Sequence, residues 1–292
     1  SHSQNKGGQA MAILTLSRQY GSGGREIGRI IAEHMKYEYV DRQTIIDDMR
    51  NEGEQWKDKA EYFDENYPNI WERSDWAYRG FVALNQSHFL QHAVKGDAVI
   101  MGRGGNFLLK QFPFVLKVRT VAPVEKRIVR IMEREGINAE NARYLIEKAD
   151  SEMAKAVYLI YGRNLDDLKE YDMVFDTSQL SQDEIVSILE GALVEKDKYK
   201  TQEALQALRL RALAEKIKAA VLSDPGLHIS ALDVDPKEEG LVKYGFIVQG
   251  LVHRKEDIGK IEEITKKMAG DLPVEFRLTA RTFPRFGRLK FS

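Results

Sequence analysis

The stretch "TLSRQYGSGGREIGRIIAEHM", Thr15 to Met35, joins two periodicities through a run of small residues. Ala12 to Ser17 is a short apolar run closed by polar residues and glycine, the pattern of a buried strand. Beyond the glycines, Ile27, Ile30, Ile31 and Met35 recur at helical spacing. A strand, a glycine turn and a helix N-terminus together make an anion site, because the first N–H groups of the helix point outward unpaired. Gly21, Ser22, Gly23 and Gly24 let the backbone curl around phosphate oxygens. A plain turn without ligand is the bland alternative. An ordinary phosphate loop carries Gly-Lys-Ser or Gly-Lys-Thr here, whereas this chain reads Gly23-Gly24-Arg25. Arg25 is the nearest cation to stand in for the lysine, and arginine grips phosphate bidentately. Ser22 is the nearest hydroxyl for a magnesium ion; a magnesium held mostly by phosphates and water is the alternative.

Outward from this stretch the chain alternates. "DAVIM" (Asp97 to Met101), "FVLKVRTVA" and "YDMVFDTS" read as strands. "VEKRIVRIMEREG", "NAENARYLIEKADSEMAKAVYLIYG" and the segment through Ile185, Ile188, Leu189 and Ala192 read as helices. Strand and helix in alternation predict an α/β fold, a parallel sheet with helices on both faces. Residues 52–95 are acidic, aromatic and helix-like, and hold Trp56, Trp71 and Trp76. Asp41 reads as a helix N-cap. "EKDKYKTQ", 195–202, reads as a linker. After it the order becomes α-β-β-α-β, a small α+β domain with its own core.

The bulk numbers fit two soluble domains. The chain has 292 residues, 43% hydrophobic and 30% charged, with a net charge of -1. That balance gives no broad nucleic-acid footprint. With 0 cysteines, disulfides and thiolate metal sites are excluded, and a reducing cytoplasm is the default compartment. No apolar run reaches membrane-spanning length. Residues 1–10 lack an apolar signal core and read as an appended segment ahead of Met11. His88 and His92 are four apart and could share a helix face, but no third ligand accompanies them, so core or surface histidines are expected.

The loop "LSRQYGSGGREIGRIIAE", followed in order by "YVDR", "VIMGRGGNFLL", "PVEKRIVRIMEREG" and "YDMVFDTSQLSQDEIVSIL", resembles the cytidylate kinase-like family over 11–194. That family is a branch of the nucleoside monophosphate kinases of P-loop type, and the lysine-less loop is one of its traits. The resemblance implies ATP and magnesium, and a donor triphosphate on Gly21 to Arg25. It also implies Arg127 and Arg130 near the donor adenine, and an acceptor nucleotide near Asp41, Arg42 and Arg103. Lys155 and Arg163 fall where the family has its phosphate-closing lid. With Arg25 they are the expected catalytic cations. Gly104 stands where cytidylate kinases carry aspartate, and Asp47 where they carry a further arginine.

Residues 203–281 resemble a BON domain, which implies a small ligand or a membrane surface as partner; a contact module without catalysis is the alternative. The tail 282–292 interleaves Arg285, Arg288 and Lys290 with Phe283, Phe286 and Phe291. The expected activity is ATP-dependent phosphorylation of a nucleoside monophosphate, cytidylate first. The rivals are a catalytically silent nucleotide sensor and a kinase of a non-nucleotide small molecule.

Overall fold

The computed structural model describes residues 12–65, 75–102, 104–239 and 242–281. The expectations for Trp71, Arg103 and the tail therefore lie outside the described residues. Two compact units are present. The first comprises 12–65, 88–102 and 104–208, the second 75–87, 209–239 and 242–281.

The first unit is built on a parallel sheet of five strands: β1 (Ile13–Arg18), β2 (Glu38–Val40), β3 (Ala98–Met101), β4 (Val115–Val121) and β5 (Met173–Asp176). Their order is β2-β3-β1-β4-β5, with Leu16 beside Met101 on one side of β1 and beside Val118 on the other. β1 is buried on both faces, which is why it reads as a continuous apolar run rather than an alternating one.

Helix α1 (Gly24–Met35) packs on this sheet through Ile27 and Ile31, both 0% exposed. Each such side chain contributes about 1.5–3 kcal/mol by leaving water. Gly28 lets the helix approach closely, since a methyl there would lie 2.6 Å from Met101 Sδ. Helix α8 (Gln182–Asp197) completes the same core with Ile185, Leu189 and Leu193.

Between β2 and β3 run α2 (Arg42–Arg50), α3 (Trp56–Glu65) and α4 (Trp76–Lys95). Then come the short α5 (Gly105–Leu108), α6 (Val124–Glu135) and α7 (Ala139–Tyr161). Local chemistry sets the ends. Asp41 caps α2 by accepting from Gln43 N (2.9 Å) and Thr44 N (3.3 Å). Ser181 and Glu184 form a capping box on α8. Gly136 and Gly162 stop α6 and α7 in the left-handed region that favours glycine.

The second unit carries α9 (Gln202–Leu222) from Arg209 onward, then β6 (Ile229–Glu239), β7 (Val242–Val252), α10 (Glu256–Ala269) and β8 (Val274–Ala280). β6 and β7 are antiparallel, β7 and β8 parallel. Phe246, Val248 and Val252 form the buried face of β7. The expected linker differs in form. Helix α8 continues through Asp197, and a turn leads directly into α9. The unit also takes in 75–87, the first part of α4, where the Arg79 guanidinium donates to Ser230 O (2.9 Å) and Ile229 O. Among the described residues no helix is long and apolar enough to cross a membrane.

Candidate active site

The glycine loop leaves the carboxyl end of β1, the edge at which open α/β sheets bind ligands. Gln19 N donates to Thr120 O (3.0 Å), and Gln19 Oε1 accepts from Ala122 N (3.1 Å). The chain then turns through Gly21 (φ 79°) and Gly23 (φ 82°). Gly23 precedes α1 without any side-chain cap, and the first bond back to it is Ile27 N to Gly23 O at 3.2 Å. The first-turn N–H groups are thus left for a ligand.

Two threonines support the loop from beneath. Ser22 is fully buried, its Oγ 2.9 Å from Thr120 Oγ1, and its carbonyl accepts from Thr177 Oγ1 at 2.7 Å. The Ser22 hydroxyl expected on magnesium is therefore turned into the protein. Arg25 occupies the place of the usual metal-binding hydroxyl. Among the described residues no group of three His, Asp or Glu could hold a metal. The loop does not fit a resident metal ion.

A cavity of about 350 Å³ lies over the loop, lined by 18–26 with Arg134 and Glu135. A second, about 610 Å³, shares Gly21 to Gly23 with it and extends to Arg130, Thr177 and Gln182. Volumes of this size suit a nucleotide. The Arg134 guanidinium lies 5.1 Å from the Tyr20 ring centre and donates to Tyr20 Oη (2.7 Å). Partial burial pulls its pKa down, but the Glu135 carboxylate 2.7 Å away, together with Tyr20 and Glu26, overcomes this and the net shift is upward.

The expected donor-side cations fall into different settings. Arg25 is exposed on the first turn of α1 and lines the smaller cavity. Arg127 is 7% exposed and points inward. It donates to Ala122 O (3.1 Å), Tyr20 O (3.2 Å) and Asp150 Oδ2 (2.6 Å). The expected adenine contact does not suit this arginine; its guanidinium braces the loop. Arg130 does line the larger cavity, held by Thr177 Oγ1 (2.8 Å) and Thr177 O (2.9 Å).

Of the residues expected at the acceptor, Asp41 and Arg42 follow β2, whose Val40 is registered with Ile100 of β3. They share the carboxyl edge with Gly102, which follows β3. Asp41 is engaged as the α2 cap. Gly104 has φ 74°, and a methyl there would run into the Tyr161 ring. Lys155 is exposed on α7, which runs unbroken through the expected lid segment. Arg163 is exposed just past it, 3.7 Å from Glu170. His92 is buried between Glu38 (2.9 Å) and Asp48 (2.7 Å), with His88 3.3 Å from Glu52.

Several residues at this edge escaped sequence reading. Asp150 joins Arg127 to Tyr20 N (2.9 Å). Arg119 is 3% exposed, bonded to Ser17 Oγ (2.9 Å) and Asp166 Oδ1 (2.5 Å), with its guanidinium 5.7 Å from the Tyr171 ring centre. Burial pushes the Tyr171 phenol upward, against the opposing pull of Ser17 and Arg119. Arg18 lines the loop cavity; its signal lay in the loop's own spacing.

The sheet order and the glycine loop between β1 and α1 define a P-loop kinase-type fold. An uncharacterized protein from Eubacterium ventriosum shares the fold at a TM-score of 0.51 and 18% identity, over 63% of this chain and 99% of that one. A sequence profile of the cytidylate kinase-like family matches residues 13–179. The cytidylate kinase of Methanopyrus kandleri is 31% identical over 189 residues, 62% of this chain and 92% of that enzyme. That of Pyrococcus furiosus is 28% identical over 181 residues, 62% of this chain and 88% of that enzyme. The chain belongs to the cytidylate kinase-like family.

Proposed function

We propose that the protein transfers the terminal phosphoryl group of ATP to a nucleoside monophosphate, with cytidylate the leading acceptor. The observation that carries this reading is the uncapped start of α1 behind two left-handed glycines, opening into two joined cavities at the carboxyl edge. The triphosphate sits on Gly21 to Arg25, and its base lies in the larger cavity beside Arg130. Asp41, Arg42 and Arg103 bind the acceptor, and Lys155 and Arg163 serve the phosphates from α7 and the segment after it. Catalysis in such a site is positioning and charge stabilisation, so the acceptor phosphate needs no protein base. Magnesium enters as part of the ATP complex, held by phosphates and water. The setting is cytoplasmic. The second unit, with its BON-like order of elements, serves as a contact module for a small ligand or a membrane surface.

A second reading concerns the acceptor. Tyr161 fills the space that a side chain at position 104 would need. This favours an acceptor other than cytidylate, and includes phosphorylation of a non-nucleotide small molecule. The test is ADP release by the full chain with CMP, dCMP, UMP, AMP and GMP, alongside direct titration of ATP. Turnover strongest with CMP or dCMP supports the first reading. Turnover with none of the five, together with tight ATP binding, sinks it and leaves the non-nucleotide acceptor or the sensor.

A further inference from the structure

We propose that Arg18, the last residue of β1, supplies the positive charge that a phosphate loop ordinarily places on its lysine. This rests on the phosphoryl-transfer reading above. In the pattern G-x-x-x-x-G-K-[ST] the first glycine makes room and the lysine reaches the β- and γ-phosphates. Counted back from Gly23, the first glycine of the pattern falls on Arg18, the lysine on Gly24 and the hydroxyl residue on Arg25. Two positions have exchanged character: a glycine place has gained a long cation, and the cation place has lost its side chain.

The structure puts these two positions in contact. A methyl at Gly24 would lie 3.0 Å from Arg18 Cβ and 3.4 Å from Arg18 Cδ, and would collide with Thr120 Oγ1. The stem of Arg18 therefore crosses the space that a lysine at 24 would enter. Its head group continues along the sheet edge to the end of β3, where Arg18 Nη1 stands 3.2 Å from the position of a methyl on Gly102. Arg18 is half-buried and lines both the loop cavity and a smaller one, about 70 Å³, formed with Gly102, Ala149 and Met153. It reaches from the donor loop toward the strand end that precedes the acceptor turn. Arg25 sits one residue beyond the lysine place and faces solvent.

In the transfer, an oxygen of the acceptor phosphate forms a bond to the γ-phosphorus. The bond from that phosphorus to the bridging oxygen breaks, and its electron pair stays on the departing ADP. The Arg18 guanidinium remains protonated throughout and stabilises the charge growing on the bridging and γ-oxygens. No proton or co-reactant is needed beyond the two nucleotides.

The test compares the full-length wild type with Arg18→Met, Arg18→Lys and the double variant Arg18→Gly/Gly24→Lys. Methionine keeps an unbranched stem over Gly24 without the charge. Arg18→Met is expected to lower kcat by about 100-fold or more, with the KM for ATP moving less than about tenfold. Arg18→Lys or the double variant is expected to recover at least about tenfold of that loss. A kcat for Arg18→Met within about threefold of wild type overturns the proposal. So does a loss that neither lysine variant relieves and that tracks a lowered Tm, which marks a packing role. If the wild type turns over no acceptor, the functional reading fails, and titration of ATP and ADP then decides on Arg18. A loss confined to ATP in Arg18→Met supports the assignment, and equal losses overturn it.

Discussion

Arg127 and Asp150 form an ion pair of 2.6 Å beneath the glycine loop, and both also hold the backbone of Tyr20, the residue before Gly21. Helix α6, helix α7 and the loop thus meet at one residue, Tyr20. Arg127→Ala would take the guanidinium from Asp150 Oδ2, Ala122 O and Tyr20 O, leaving the Asp150 carboxylate only the Tyr20 N–H. The expected loss of stability is about 3 kcal/mol, with weaker ATP binding as a consequence. Urea unfolding and ATP titration check this. Unchanged unfolding together with lost ATP affinity would make Arg127 a nucleotide contact after all.

A side chain at Gly24 should cost stability while Arg18 keeps its own. Gly24→Ala pushes a methyl into Thr120 Oγ1 and the Arg18 stem, and overpacking of this kind costs about 1–3 kcal/mol. Removing the obstructing hydroxyl in Gly24→Ala/Thr120→Ala should return part of the loss, giving a coupling of about 1 kcal/mol in a double-mutant cycle. Strict additivity would mean that the two groups do not meet.

Tyr161 fills the space beside Gly104, in the turn expected to meet the acceptor, and its ring centre lies 5.6 Å from that of Phe107 with the planes tilted by 33°. Tyr161→Ala is expected to change the ratio of kcat/KM between pyrimidine and purine monophosphates by about threefold or more, leaving the KM for ATP nearly fixed. A fall in Tm with unchanged acceptor ranking would reduce the ring to packing.

Asp172 joins β4 to α8. It accepts from Lys117 N (2.8 Å) and lies 3.2 Å from Lys196 Nζ. Burial raises its pKa, but the Lys117 backbone bond and the two lysine charges overcome this and hold it below its ordinary 3.8. A depressed carboxylate contributes stability that is present above its unfolded value and is lost as the pH falls through its folded one. The stability gap between wild type and Asp172→Asn should therefore be full at pH 5 and close progressively below about pH 4. A gap constant from pH 5 to pH 2 would show that the charge of Asp172 does not matter.

Much of the first unit was legible, because buried parallel strands and amphipathic helices have distinct periods. Leu14 and Leu16 read as strand, and Ile27 and Ile31 as helix, and both pairs lie in one core. The settings of the arginines were not legible. Arg127 and Arg130 lie on neighbouring turns of α6, yet one faces Asp150 and the other Thr177, residues far off in the chain. Ser22 looked available because its neighbours are glycines; Thr120, which sequesters it, comes from another strand. Arg18 hid as the last residue of a strand, since strand periodicity does not say where a long side chain ends. In α10 Ile261 is buried, whereas Ile258, Ile264 and Met268 at the same helical spacing are half-buried, and the deepest stripe is Asp257, Ile261, Thr265 and Ala269. Arg254 makes burial of Asp257 tolerable by pairing with it at 2.7 Å.

Helix α4 gives its first part to the second unit and its last part to the first. During synthesis, Tyr78, Phe81 and Leu84, all buried in the finished protein, leave the ribosome well before the strands of their own unit. Residues 88–208 must be made in between. Domains made vectorially usually fold as each is completed, but here the later unit recruits a segment that has already been waiting. For that interval the nascent chain carries an aromatic, apolar segment whose partners have yet to be made.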